Sequence, residues 1–196
     1  MTPKRHSIGS AIVMACVALA TLTALTAGCG NGKGSSGKGT GMEANLTEAV
    51  ARERITSYLT ETLQALPTGV GFSLTSDNSY LGSLKEGFTV PCDDDDLHPD
   101  GPQHVQIRYW LVGVPTGQDA HYFQLIRDAW TSRGWRSNPD SDHQWAAVRT
   151  PDGYSLNVTY VPAQDHSVSI AAGSPCFPKA AEGTTAPQPT ELRRPS

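Results

Sequence analysis

Four adjacent carboxylates, Asp93, Asp94, Asp95 and Asp96, with His98 and Asp100 close behind, are the most unusual local feature of this 196-residue chain. Like charges so close repel one another, and a hard cation such as calcium would relieve them. The run lacks the alternating ligands, central glycine and distal glutamate of an EF-hand. A solvated acidic loop is therefore the plainer expectation, with calcium held by Asp93–Asp96 as the alternative. His98, His104, His121, His143 and His166 show neither H-x-x-x-H nor H-E-x-x-H spacing, so they form no zinc signature. Nucleophilic catalysis would need an activated serine, cysteine or threonine with a base and an oxyanion hole. The chain has no G-x-S-x-G elbow, and its glycine-rich stretch does not follow a strand as a phosphate loop would. No catalytic residue, enzymatic activity or cofactor is expected.

The elements that must position these residues follow from periodicity. Asn45-Leu46-Thr47-Glu48 reads as a capping box, and Ala51, Ile55, Leu59, Leu63 and Leu66 recur at helical spacing until Pro67 and Gly69 end the run. Phe72 to Thr75 reads as a short strand. Val105, Ile107, Tyr109 and Leu111 alternate with Gln106, Arg108 and Trp110, which predicts a half-buried strand over Val105 to Val114. A second helix, capped by Asp119, carries Phe123, Ile126 and Trp130 on one stripe and closes at Gly134. Strands then follow at Trp145 to Arg149, Tyr154 to Tyr160 and Val168 to Ala172, with a tight turn at Pro151-Asp152-Gly153. The order predicts an α+β fold, a single small domain with an antiparallel sheet of four to five strands and two helices on one face.

Among the tryptophans, Trp130 belongs to the helix stripe, and Trp135 and Trp145 flank it at sheet entries. Trp110 differs, because it points away from the apolar set of its strand. With Val112 it marks the face expected to serve as a partner surface if it is exposed.

The N-terminus reads as an address. Lys4 and Arg5 supply a positive n-region before an apolar stretch from Ile8 to Leu25, marginal in length and composition for a permanent membrane span. Leu25-Thr26-Ala27-Gly28-Cys29 resembles the lipobox of bacterial lipoproteins, in which small residues admit the signal peptidase and the cysteine thiol carries a diacylglycerol. The resemblance implies a signal peptide over 1–28, lipidation at Cys29 and a cell-membrane anchor on the extracytoplasmic side. Residues 29–41, rich in Gly, Ser and Lys, then form a flexible tether, 42–178 the α+β body and 179–196 a disordered tail. With Cys16 in the removed segment and Cys29 lipidated, Cys92 and Cys176 remain, and two thiols in an exported chain most simply form a disulfide.

Charge bounds the partners. The whole chain has a formal net charge of −4, and from Met42 to Pro178 acidic residues outnumber basic ones by 17 to 8. That balance argues against nucleic acid, whose phosphates need a basic footprint. Taken together, the chain resembles the small lipoproteins of actinobacteria. The resemblance implies membrane-anchored export and transfers no catalytic residue. The expected function is a lipid-anchored binding or accessory protein of the cell envelope acting through an envelope protein partner. A small-molecule or calcium binder is the alternative.

Overall fold

In a computed structural model, residues 42–92, 100–162, 167–183 and 188–194 are described. The chain runs α1 (Glu48–Gln64), β1 (Gly71–Ser73), β2 (Phe88–Pro91), β3 (Gln103–Val112), α2 (Asp119–Ser132), β4 (Arg136–Ser137), β5 (Trp145–Arg149), β6 (Ser155–Val161), β7 (Ser167–Gly173), a 3₁₀ turn at Lys179–Ala181, and β8 (Glu191–Arg193). All eight strands belong to one antiparallel sheet, ordered β4-β5-β6-β7-β3-β1-β8, with β2 also paired to β3. The α+β class, the single domain and the two helices are as expected, but the sheet has eight strands rather than four to five. The additional strands are β2, β4 and β8. Each has two to four residues, too few for an alternating pattern to stand out from loop sequence.

β3 is the hub. Its first half pairs with β2 on one side and its last residues with β1 on that same side, while β7 runs along the other. Val105, Ile107, Tyr109 and Leu111 are all buried in one core with the apolar stripes of both helices. Ile55, Leu59 and Leu63 come from α1, and Phe123, Ile126 and Trp130 from α2. Where the helices meet, the Trp130 indole N–H donates to Thr62 Oγ1 at 3.0 Å inside the core.

Helix ends differ from expectation by a few residues. Thr47, not Asn45, caps α1; its extended backbone lets Oγ1 accept from Val50 N at 3.3 Å. Glu48 does not complete a capping box. Its buried carboxylate instead binds Arg52 at 2.7 Å and accepts from Gly183 N at 3.1 Å. Gln118 occupies the N-cap of α2, so Asp119 lies within the first turn, where its charge faces the positive end of the helix dipole. Gly134 takes the expected left-handed conformation, with φ of 70°.

The segment after Pro178 was expected to be disordered, yet its described part is tied to the body. β8 pairs with β1, Leu192 is buried against the core, and the Tyr109 hydroxyl donates to Pro189 O at 2.6 Å. Gly71 permits the pairing, because a Cβ there would lie 2.8 Å from both Leu192 O and the Arg193 side chain. One apolar residue among prolines and charges gave no signal of this strand, since its hydrogen bonds are backbone bonds to a distant partner.

Two further ties close the body. Cys92 and Cys176 form a disulfide with Cα atoms 6.2 Å apart, joining the end of β2 to the segment after β7. The β5–β6 turn is locked onto α1 through Asp152. Oδ1 accepts from Tyr58 at 2.5 Å and Thr150 at 2.7 Å, and Oδ2 accepts from Arg54 at 3.1 Å. Burial alone would raise the Asp152 carboxyl, but the bonds from Thr150, Tyr58 and Arg54 outweigh it and hold the group below the usual carboxylate range.

Replacing both cysteines (Cys92→Ser with Cys176→Ser) frees a loop spanning 84 positions. It should cost about 4 kcal/mol in denaturant unfolding, and an unchanged midpoint would show that the bridge is not formed in solution. Because the folded value of Asp152 is depressed, its contribution is present above the unfolded carboxyl range, near pH 4, and is lost as pH falls through the folded value. Asp152→Asn should therefore flatten the acid limb of a Tm-against-pH curve. It should also lower stability at neutral pH by about 1 kcal/mol at most, since the carboxylate is partly exposed.

Candidate functional site

Because residues alternate across a strand, the set that buries the core leaves its complement on the other face. On β3 that complement is His104, Gln106, Arg108, Trp110 and Val112. Register extends it across the sheet. One row reads Trp145, Thr159, Ser169, Trp110, Ser73; the next reads Ala147, Asn157, Ala171, Arg108; a third reads Arg149, Ser155, Gly173, Gln106. Apart from Gly173, these residues are half-buried or, for Arg108, exposed. The centre of the face is thus a shallow trough floored by Ser, Thr, Asn and Ala, with Trp110 and Trp145 on either side. Three inter-strand steps separate the two tryptophans, about 14 Å.

A cleft lies toward each of two opposite corners. Toward the Trp110 corner, the loop after β1 folds over the sheet, anchored by Asp77 Oδ2, which accepts from Gly113 N at 2.5 Å. It encloses about 480 Å³ among Asp77, Asn78, Tyr80, Trp110 and Ser167. Tyr80 is 87% exposed at the rim, and the Trp110 indole N–H is buried without a hydrogen-bond partner. At the other corner, about 470 Å³ is lined by Arg136, Asn138, Arg149 and Ser155. There Arg136 and Arg149 stand directly opposite each other across the β4–β5 pair.

The electrostatics of this face oppose those of the body. Arg108, Arg136 and Arg149 are three of the eight basic residues between Met42 and Pro178. The acids on this side lie at its Trp110 end: Glu191 of β8, opposite Ser73 and ion-paired with Arg193, and Asp77 of the loop after β1. Of the arginines elsewhere, Arg52 pairs with Glu48, Arg54 with Asp152 and Arg133 with Glu61, while Arg127 donates to Asp142 O at 3.0 Å. Arg108 and Arg136 have no ion pair among the described residues, and Arg149 donates only to Gly153 O at 3.1 Å.

A third cleft, of about 470 Å³, lies beside Glu43, Asn45, Asp152 and Tyr154 on the α1 side. Asp152 and Tyr154 there are committed to structure. Three side chains hold the Asp152 carboxylate, and burial pushes the Tyr154 phenol up to about 12, so it stays neutral.

The residues singled out from sequence fare differently. Trp110 lies on the uncovered face as its alternation predicted. Val112 does not offer surface, because it is 2% exposed at the end of the sheet where the loop after β1 folds over. Trp145 is not a core residue at a sheet entry but the second tryptophan of the face, whereas Trp135 is buried edge-on against Tyr58 at 5.2 Å. His104 lies 3.7 Å from Cys92 Sγ, and burial lowers its imidazole below the ordinary value. Cys29, Asp93–Asp96, His98 and His166 lie outside the described residues. Arg108, Arg136 and Arg149 were not singled out. Parity along β3 put Arg108 beside Trp110, but the Arg136–Arg149 pairing depends on a strand of two residues.

Comparison with protein-family models, curated proteins and solved structures finds no match to this chain.

The two partnered states of tryptophan give a direct check. Trp110→Phe loses contact area but also removes an unpaired buried N–H, so stability should stay within about 1 kcal/mol of the parent. Trp130→Phe breaks the bond to Thr62 and leaves a void at a fully buried site, at a cost of about 2–3 kcal/mol. Equal costs in urea unfolding would contradict the assignment of Trp110 to the uncovered face.

Proposed function

We propose that this chain is a lipid-anchored, extracytoplasmic binding or accessory module of the cell envelope, held at the membrane through Cys29. Its binding surface is the uncovered sheet face around Trp110. One observation carries the reading: both helices pack on one side of the sheet, and the other side keeps two half-buried tryptophans over a polar trough with a cleft toward each of two corners. Aromatic rings beside polar groups, with a cleft close to each end, are what a ligand site needs. The Cys92–Cys176 disulfide supports an oxidising compartment, as the lipobox does.

The test is in-cell photo-cross-linking of the full chain, with the photoreactive group at Thr159 in the trough or at Gln124 on the outer side of α2. The expected result is a defined envelope component captured from position 159, absent from position 124 and lost with Cys29→Ala. Capture from position 124 alone, or capture unaffected by Cys29→Ala, would count against the reading.

A further inference from the structure

Resting on the binding face proposed above, we infer that the ligand is an anionic glycan: a sugar chain bearing carboxylates, laid across the trough between Trp110 and Trp145. Three features of the face point to that chemistry. The aromatic rings offer flat apolar platforms, which suit the C–H face of a pyranose ring, and they stand far enough apart to meet different rings of one chain. Between and beside them the floor is Ser169, Thr159, Asn157 and Ser155, short side chains that donate and accept hydrogen bonds to hydroxyls. A protein interface would instead centre on a contiguous apolar patch, which this floor lacks.

The third feature is charge. Arg136 and Arg149 lie directly opposite across an antiparallel pair, a placement that is destabilising for like charges unless an anion sits between them. Arg108, exposed two residues from Trp110, adds a third guanidinium with no ion pair among the described residues. Guanidinium forks match carboxylates in a bidentate manner. On a body with more than twice as many acids as bases, these three arginines make their part of the face complementary to an anion, away from Asp77 and Glu191 at the Trp110 end.

The test is affinity electrophoresis of the purified full-length chain, in a detergent without sugar groups, through gels containing polygalacturonate or neutral dextran at 150 mM salt, the ionic strength at which screening extends over about 8 Å. Polygalacturonate should retard the protein and dextran should not. Arg108→Gln combined with Arg136→Gln should weaken the apparent affinity at least tenfold, as should Trp145→Ala. Arg54→Gln combined with Arg133→Gln, which removes the same two charges from the helical side, should leave it unchanged. Equal retardation by dextran would overturn the anionic assignment, and equal retardation of the double variant would overturn the role of the arginines. Absence of retardation by polygalacturonate removes the glycan. If position 159 still captures a protein, the binding face stands with a protein partner; if it captures nothing, the underlying reading falls too.

Discussion

The period-two alternation of β3 is the constraint on which the rest of this structure depends. Ten residues long and paired on both edges, β3 turns Val105, Ile107, Tyr109 and Leu111 toward the helices and leaves Arg108 and Trp110 on the other side. A slip of one residue would exchange the two sets and destroy the core, so the pattern sets register as well as burial. β7 and β6 inherit that choice through their pairing. Val168, Ile170, Leu156 and Val158 fall on the helical side, and Ser169, Ala171, Asn157 and Thr159 on the other.

What surrounds that central sheet is held by ties from distant parts of the chain. β1 has three residues and would be a weak edge by itself, but β8 covers it. The C-terminal segment reaches further: Gln188 accepts from Gly87 N at 2.5 Å, and Arg194 donates to Leu66 O at 3.0 Å. The pairing satisfies the outward backbone groups of β1 and moves the open edge to a strand of three residues, too short to invite much strand addition. The disulfide and the Asp152 lock act alike, fixing short connections whose own contacts are few.

One-sided coverage also explains why the proposed site is a face rather than a deep pocket. The two helices bury one side of the sheet, and among the described residues only the loop after β1 reaches over the other, where the side chains are mostly small or polar. Tryptophan on such a surface is costly unless it packs or binds, and Trp110 and Trp145 are each half-buried with ring area remaining. Arg108, Arg136 and Arg149 sit there without a carboxylate partner among the described residues, and the acids of this side, Asp77 and Glu191, lie at its Trp110 end, so the rest of the face carries a local excess of positive charge. That asymmetry is the physical basis for assigning the face a ligand of opposite charge.

Local and periodic information determined much of this protein. The helical stripes, the alternation of β3, β6 and β7, the turn at Pro151-Asp152-Gly153 and the left-handed Gly134 depend on neighbours within a few residues, and each was legible in the chain. The pairing of Cys92 with Cys176 was legible too, by elimination among four cysteines. Tertiary structure alone decided what depends on partners far apart. It made a strand of Glu191–Arg193 by pairing it with β1, buried Val112 at a covered end of the sheet, and put Trp145, expected beside the helix stripe at a sheet entry, on the same face as Trp110. It also brought Arg136, 13 residues before Arg149 in sequence, directly opposite it. Short strands carry too little pattern to be read, since their energy lies in backbone hydrogen bonds that any sequence can make. The candidate site was accordingly visible at Trp110 only, since Val112 is buried, and register across the strands supplied the rest.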